Sequence, residues 1–385
     1  MNDRQLQKFP RGYSQQDLEQ RKKFLEIRND ISLDIAEDLN PESMKGIIEN
    51  QIGYLSIPMG MAGPLEIAGT YLNGTRYVPL CTVEGTLVAS MARGMYATSR
   101  CEGVRTNHFH QRMTRSPIFF FDDIGHQKSF LQWVSTNEES IQKMAESSSN
   151  FARLISIETY QLNQYVILDF AYTTGNAAGQ NMASKATKCA CELIRKETGV
   201  DFILDSNLSG DKKASGNTKL KGRGHHVTAQ TYISDQVIEK VLGTTADKIL
   251  MIQEYGPYVS SLANSNGIQL HLSNALTAIY LATGQDVACV AENAVGYTQI
   301  KRTESGLEFL LTMPSISVGT VGGGTRLPQQ KKNLELLKCH EGEKSAAQLA
   351  EIICASALCL EISLMAAIVS EKWVASHMRY GRTNS

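Results

Sequence analysis

Between Ile352 and Val369 the chain reads "IICASALCLEISLMAAIV", an apolar run of helical length broken by a single carboxylate, Glu361. With Glu361 inside it and Glu371 and Lys372 just beyond, the run does not offer a bilayer the roughly eighteen uncharged apolar residues that a span needs. A helix that is apolar all round has to be covered by protein all round. The helical pattern, which extends from Ser345 to His377, therefore predicts a central buried helix and demands other elements to enclose it. With 385 residues, 42% of them hydrophobic and 20% charged, the chain is long enough to build more than one core.

Charge narrows the partners. Thirty-eight basic residues stand against 39 acidic ones, and no long basic block is present to release counterions from nucleic acid. The eight cysteines, Cys81, Cys101, Cys189, Cys191, Cys289, Cys339, Cys354 and Cys359, form no CxxC pair and lie mostly in apolar runs, which reads as buried reduced thiols. The polar start "MNDRQLQKFPRGYSQQDLEQRKK" lacks the apolar core of a secretory signal. These features predict a cytoplasmic protein with no membrane or nucleic-acid partner.

Residues 14–49 alternate charged and apolar positions at helical spacing and predict two amphipathic helices suited to packing on a partner subunit. Ile52 to Ile67, with three glycines and two prolines, reads as turns around short strands, followed by the strand-like "RYVPLCTV". The pattern turns helical at "EGTLVASMARGMYA", which places Glu84 at a strand-to-helix junction. From Ser116 the order is "SPIFFF", a helix "HQKSFLQWVSTNEESIQKMAE", strands "RLISIETYQ" and "QYVILDFAYT", a helix "NMASKATKCACELIRKE" and a strand "VDFILD". That order, βαββαβ, predicts an inserted ferredoxin-like unit closing near Leu204. The expected class is α+β. A large domain (49–115 and 205–370) carries the small one (116–204), flanked by a helical segment (1–48) and a tail (371–385).

Several segments could carry chemistry. No GxGxxG, P-loop lysine or HExxH pattern occurs. The run "GTVGGGT", Gly319 to Thr325, suits either close approach of backbone to a ligand or a tight turn. In "TTGNAAGQNMASK", Gly175 and Asn176 precede a helix whose first amides could hold a phosphate, or Asn176 could serve as a plain cap. Asp286 and His377 read equally as helix-terminus residues, and the loop "SNLSGDKKASGN" reads by itself as solvated turn chemistry. The pairs at His108/His110 and His225/His226 lack a nearby third ligand in sequence and predict surface or strand histidines, with no metal.

Taken in order, "ENQIGYLSIPMGMAGPL", "TVEGTLVASMARG", "MTRSP", "GNAAGQNMASK", "SGDKKAS", "NALTAIYLATGQD", "VGTVGGGTRLPQQ" and "SHMRYGR" resemble the successive motifs of 3-hydroxy-3-methylglutaryl-coenzyme A reductases, from about Glu49 to Arg382. The resemblance implies two hydride transfers from NADPH, with NADH as the alternative. These take a coenzyme A thioester through a hemithioacetal and an aldehyde to an alcohol, at a site between the subunits of a homodimer.

The resemblance implies the catalytic set Glu84, Lys212, Asp286 and His377. A lysine ammonium suits the oxyanion that hydride addition creates. Asp286 would keep Lys212 charged and disfavour a second negative charge on Glu84, leaving Glu84 to donate a proton. His377, on a mobile tail, would protonate the coenzyme A thiolate. Substrate contacts are implied for Ser90, Arg93, Arg115, Asp205, Asn207, Asp211, Lys213 and Asn274. Nucleotide contacts are implied for Asn176, Ala178, Gly179, Gln180, Asn181, Met182, Gly322, Gly323 and Arg382, with Arg379 nearby.

The chain departs from that pattern in four places. Asn176 stands where an aspartate is usual, and Asp205 where a serine is usual. From Ile249 to Ile300 there is no lysine or arginine, with Glu254 near the expected lysine. Gly381 replaces an asparagine. An anionic acyl end facing Asp205 would lose about 2–5 kcal/mol of binding. Three readings follow: the standard reductase, the same chemistry on a neutral or amine-bearing acyl thioester, and a catalytically silent relative that binds coenzyme A or nucleotide.

Overall fold

The computed structural model describes residues 12–29 and 40–370. The chain divides at Pro58 into two compact units. In the first, helix α1 (Gln15–Asn29) opens with a reciprocal cap. Ser14 Oγ accepts from the Asp17 amide at 3.1 Å, while Asp17 Oδ2 accepts from the Ser14 amide at 3.0 Å. The fully buried Arg21 donates to the Gln51 carbonyl at 2.7 Å and the Gly12 carbonyl at 2.9 Å, closing the unit on itself. Of the second amphipathic helix expected before residue 49, a single 3-10 turn, Pro41–Met44, is seen among the described residues.

The second unit opens with the hairpin β1 (Met59–Ala68) and β2 (Asn73–Cys81), then helix α2 (Leu87–Ser99) and the long strand β3 (Val104–Arg115). After β3 come β4 (Ile118–Phe120), α3 (Ile124–Thr136), α4 (Glu138–Glu146), β5 (Arg153–Leu162), β6 (Tyr165–Thr173), α5 (Gln180–Thr198) and β7 (Phe202–Ile203). These strands pair antiparallel in the order β7-β4-β6-β5, the ferredoxin-like order, around their own apolar cluster that includes Phe119, Phe130, Phe170 and Ile194. The single helix expected between β4 and β5 is two, because Asn137 at their junction turns its side-chain amide onto the Trp133 carbonyl at 2.8 Å.

The chain then runs through α6 (Gly216–Leu220), β8 (Gly224–Ser234), α7 (Asp235–Val237), α8 (Ala246–Leu262), α9 (Leu272–Thr283), α10 (Val290–Asn293), β9 (Tyr297–Arg302), β10 (Gly306–Ile316), α11 (Pro328–Leu336) and α12 (Ser345–Val369). Strand β3 joins the two halves of one mixed sheet. Arg105 to Arg112 pair with β8, and Met113 to Arg115 pair with β6. The segment from 222 to 262, to which the sequence pattern assigned no element, supplies β8 and α8, the former with clean period-2 alternation of buried and less buried positions.

Helix α12 is buried on all sides, with 89% of its most apolar window inside the protein, although by length and composition it could cross a membrane. It packs on α2 so closely that a Cβ at Gly94 would overlap the Cys359 carbonyl oxygen. Its carboxylates are tied to backbone. Glu351 accepts from the Thr70 and Tyr71 amides at 3.0 and 3.4 Å, and Glu361 accepts from the Leu270 and His271 amides, both at 2.7 Å, just before α9. Burial pushes the Glu361 carboxyl up to about 7 despite those two bonds.

Two expectations follow. Gly94→Ala drives a methyl into backbone that cannot yield and should cost roughly 3 kcal/mol, read from the midpoint of chemical denaturation. In the second, the Glu361 proton leaves the unfolded chain near pH 4.5 and the folded protein near pH 7, so this group's contribution falls as pH rises across that window. Glu361→Gln does not titrate, so the advantage of wild type over this variant should shrink by on the order of 3 kcal/mol between pH 4 and pH 8.

Candidate active site

The loop after β7 is built from local polar bonds. Asp205 Oδ1 accepts from the Asn207 amide at 2.9 Å, and Ser215 with Thr218 forms a capping box that starts α6. Between them Asn207 and Lys212 both take left-handed conformations, with φ of 67° and 55°. A lysine rarely adopts this conformation without external support. Here the support is Glu292, whose Oε2 accepts from the Lys212 amide at 2.5 Å.

Glu292 ends a line of alternating charge. Arg115, at the end of β3, donates to Asp205 at 2.6 Å and Asp211 at 3.1 Å. Asp211 Oδ1 lies 3.3 Å from Arg223 Nη1, a charge contact without hydrogen-bond geometry, and Arg223 donates to Glu292 Oε1 at 2.7 Å. Arg223 and Glu292 are fully buried, and Arg223 Nε and Nη2 make no hydrogen bond. Ser317 Oγ also donates to Glu292 Oε1, at 2.5 Å.

Lys212 Nζ points to Asp286 Oδ2 at 2.7 Å, with both side chains nearly half exposed. The hydrogen bond to Asp286 raises the Lys212 pKa above the ordinary lysine value, against a smaller opposing effect of burial. Asp286 is fixed by its own turn, accepting from the Ala288 amide at 3.1 Å. Its neighbour Gln285 binds Gly319 both ways, amide to carbonyl and carbonyl to amide, each at 2.9 Å. Gln180, in the first turn of α5, donates to Cys289 Sγ at 2.9 Å. The lysine–aspartate pair thus adjoins both the glycine run and the start of α5.

Those two segments also meet each other. Ala177 bridges Val321, and Thr320 donates to the Asn176 carbonyl at 2.8 Å. A Cβ at Gly319 would collide with Ala178, so the contact requires glycine there. Helix α5 is capped by Gly179 with no side-chain acceptor, and the Cβ positions of Gly175, Gly322 and Gly323 face open space. A 19-residue helix with unconsumed first-turn amides beside two open glycines fits a dinucleotide pyrophosphate. Asn181 is exposed there and Met182 half-buried. The Asn176 side chain faces elsewhere. It donates to the Gly342 carbonyl at 2.7 Å and accepts from the Ala346 amide at 3.2 Å, capping α12 rather than α5.

Glu84 is exposed and accepts from Asn274 Nδ2, on α9, at 3.1 Å. Ser90 Oγ lies 2.9 Å from Ser363 Oγ, and Arg93 donates to the Ser363 hydroxyl and carbonyl at 3.0 and 2.6 Å, so both α2 side chains are held by α12. Lys213 Nζ, at an exposed position, donates to the Asp211 carbonyl at 2.8 Å. His377, Arg379 and Arg382 lie outside the described residues.

Glu292 and Arg223 are the site residues that sequence reasoning missed, since a lone charge in "VACVAENAVG" carries no spacing signal. The histidine pairs are brought together by the β3–β8 register, with His108 Nε2 2.8 Å from His225 Nδ1. His225 is buried rather than on the surface, and burial pushes it down to about 3, so the pair is neutral. No cluster of three metal-binding side chains occurs among the described residues.

A family model described as hydroxymethylglutaryl-coenzyme A reductase matches residues 17–382. The chain is similar to a 3-hydroxy-3-methylglutaryl-coenzyme A reductase of Methanocaldococcus jannaschii, 36% identical over 94% of this chain and 91% of that protein. Another of Pyrococcus horikoshii is 36% identical over 98% of this chain and 94% of that protein. In fold it resembles the class II enzyme of Streptococcus pneumoniae bound to NADPH, with a TM-score of 0.68 at 18% identity, covering 85% of this chain and 88% of that one. The chain belongs to the hydroxymethylglutaryl-coenzyme A reductase family.

Proposed function

We propose that this chain reduces the thioester of 3-hydroxy-3-methylglutaryl-coenzyme A to mevalonate and free coenzyme A at the expense of two NADPH. The observation that carries the reading is the 2.7 Å Lys212–Asp286 pair, set between the glycine loop held by Gln285 and the α5 terminus held on Cys289. NADPH, bound across Ala178 to Met182 and Gly322–Gly323, would supply the hydride.

The chain's own groups handle charge and protons. Lys212 Nζ, kept protonated by Asp286, stabilises the oxyanion formed when the thioester carbonyl is reduced. The carbon–sulfur bond of the resulting hemithioacetal then breaks, and His377 protonates the departing thiolate. Reduction of the aldehyde produces a second oxyanion at the same place, which takes a proton from Glu84. Asn274 orients Glu84 through the 3.1 Å bond. In this reading Arg93 and Ser90 contact the coenzyme A chain, and Asn207, Asp211 and Lys213 the acyl end.

A homodimer completes this picture, with His377 in the catalytic set and Arg382 among the nucleotide contacts. Helix α8 supports it, for Met251, Tyr255, Tyr258, Val259 and Leu262 are all exposed on it, an apolar face of the kind that association buries. Eight unpaired cysteines, most of them buried, support a cytoplasmic setting.

A second reading is favoured by one specific contact. Arg115 already engages Asp205 at 2.6 Å and Asp211 at 3.1 Å, so a carboxylate-ended acyl group would meet Asp205 in place of a free guanidinium. A neutral or amine-bearing acyl thioester avoids that repulsion.

Loss of nicotinamide absorbance tests both readings. Lys212→Ala should reduce turnover of the standard substrate by about 100-fold or more at unchanged nucleotide binding. Turnover within a few fold of wild type would remove Lys212 from the chemistry. In a panel of thioesters, Asp205→Ser should raise kcat/KM for the carboxylate-ended substrate by about tenfold relative to uncharged ones. An unchanged ratio would dismiss the second reading.

A further inference from the structure

Lys212 is held at both ends by one short segment of chain. Its Nζ is fixed by Asp286, and its backbone amide by Glu292, six residues later across a 3-10 turn and α10. The amide bond is the shorter of the two, 2.5 Å against 2.7 Å, and it is made to a residue in the left-handed conformation. Glu292 is itself anchored into the sheet. Its other oxygen receives Ser317 Oγ and Arg223 Nη1, and the Arg223 carbonyl accepts from the Ser315 hydroxyl at 2.9 Å.

We infer that Glu292, locked by Arg223 and Ser317, is the positioning residue that sets the backbone of Lys212 and so aims its ammonium at the reacting oxygen. The inference rests on Lys212 being the oxyanion-stabilising group. A buried ion pair is weak support for stability, because apolar replacements of similar volume are often tolerated. Its consequence here is geometric. Arg223 contacts Asp211 directly and reaches Lys212 through Glu292, so both residues flanking one peptide bond refer to the same buried guanidinium. Release of that peptide would let Lys212 leave the left-handed region, and its Nζ would swing away from Asp286.

The test uses the full chain with Glu292→Leu, which leaves no acceptor for the Lys212 amide, and, because the single change strands Arg223, the double variant Arg223→Met/Glu292→Leu. Circular dichroism and NADPH titration establish folding. In the folded variant kcat should fall by about 100-fold, with the thioester KM and NADPH affinity within about threefold of wild type. A second readout is independent of activity. After reductive ¹³C-methylation, with the Lys212 signal identified by its loss in Lys212→Arg, the Lys212 resonance should titrate at higher pH in wild type than in the variant, because the variant loses the contact with Asp286 that raises it. The charged or titratable groups facing this ammonium are Asp286, Asp211 and Cys289, and all three are retained.

A folded double variant with wild-type kcat overturns the inference. So does a loss of kcat with the Lys212 titration unmoved, which would mark general distortion. If wild type reduces no thioester, the functional reading fails, while the titration still decides whether Glu292 positions Lys212. Should neither variant fold, Ser317→Ala removes one of the two donors on Glu292 Oε1, and the same two readouts apply with a several-fold effect expected.

Discussion

A helix buried on every side has no solvent face on which to place its polar residues, and α12 carries three that matter. Glu351 receives the amides of Thr70 and Tyr71, Glu361 those of Leu270 and His271, and Ser363 the side chains of Ser90 and Arg93. A buried polar group must find partners or pay its desolvation in full. Each of these therefore locks a different element onto the core: the β1–β2 turn, the start of α9 and the face of α2. Through α9 the constraint reaches Asn274, and through it Glu84.

The same logic recurs on a smaller scale at the site. Three segments with at most short turns of helix, 205–215, 284–293 and 319–326, are held by side chains that bond to backbone. Gln285 spans Gly319, Glu292 takes the Lys212 amide, and Asn176 reaches across to cap α12. Loops positioned this way can present charged groups in half-exposed surroundings while their anchors stay dry.

Much of this architecture was legible in the residues themselves. The apolar run before Val369 announced α12, and the βαββαβ periodicity from Ser116 matched the strands that pair as β7-β4-β6-β5. Lys212 and Asp286 were legible by motif order, and their 2.7 Å contact follows from the pairing of two distant loops. What could not be read was whatever depends on register or on long-range partners. The β3–β8 register alone stacks His108 on His225, and only the folded chain shows that Arg115 is taken by Asp205 or that Asn176 faces α12. Glu292 was invisible for the same reason: a buried carboxylate in an apolar segment announces itself only once the buried Arg223 beside it is located.

The proposed reaction is a four-electron reduction at one lysine-centred site. Its most direct test is the stoichiometry of a single-enzyme reaction, measuring nicotinamide oxidised and free thiol released from the same limiting amount of acyl-coenzyme A. Two NADPH consumed for each thiol released is the predicted result. One NADPH per thiol, with aldehyde accumulating, or thiol release without nicotinamide oxidation, would contradict it.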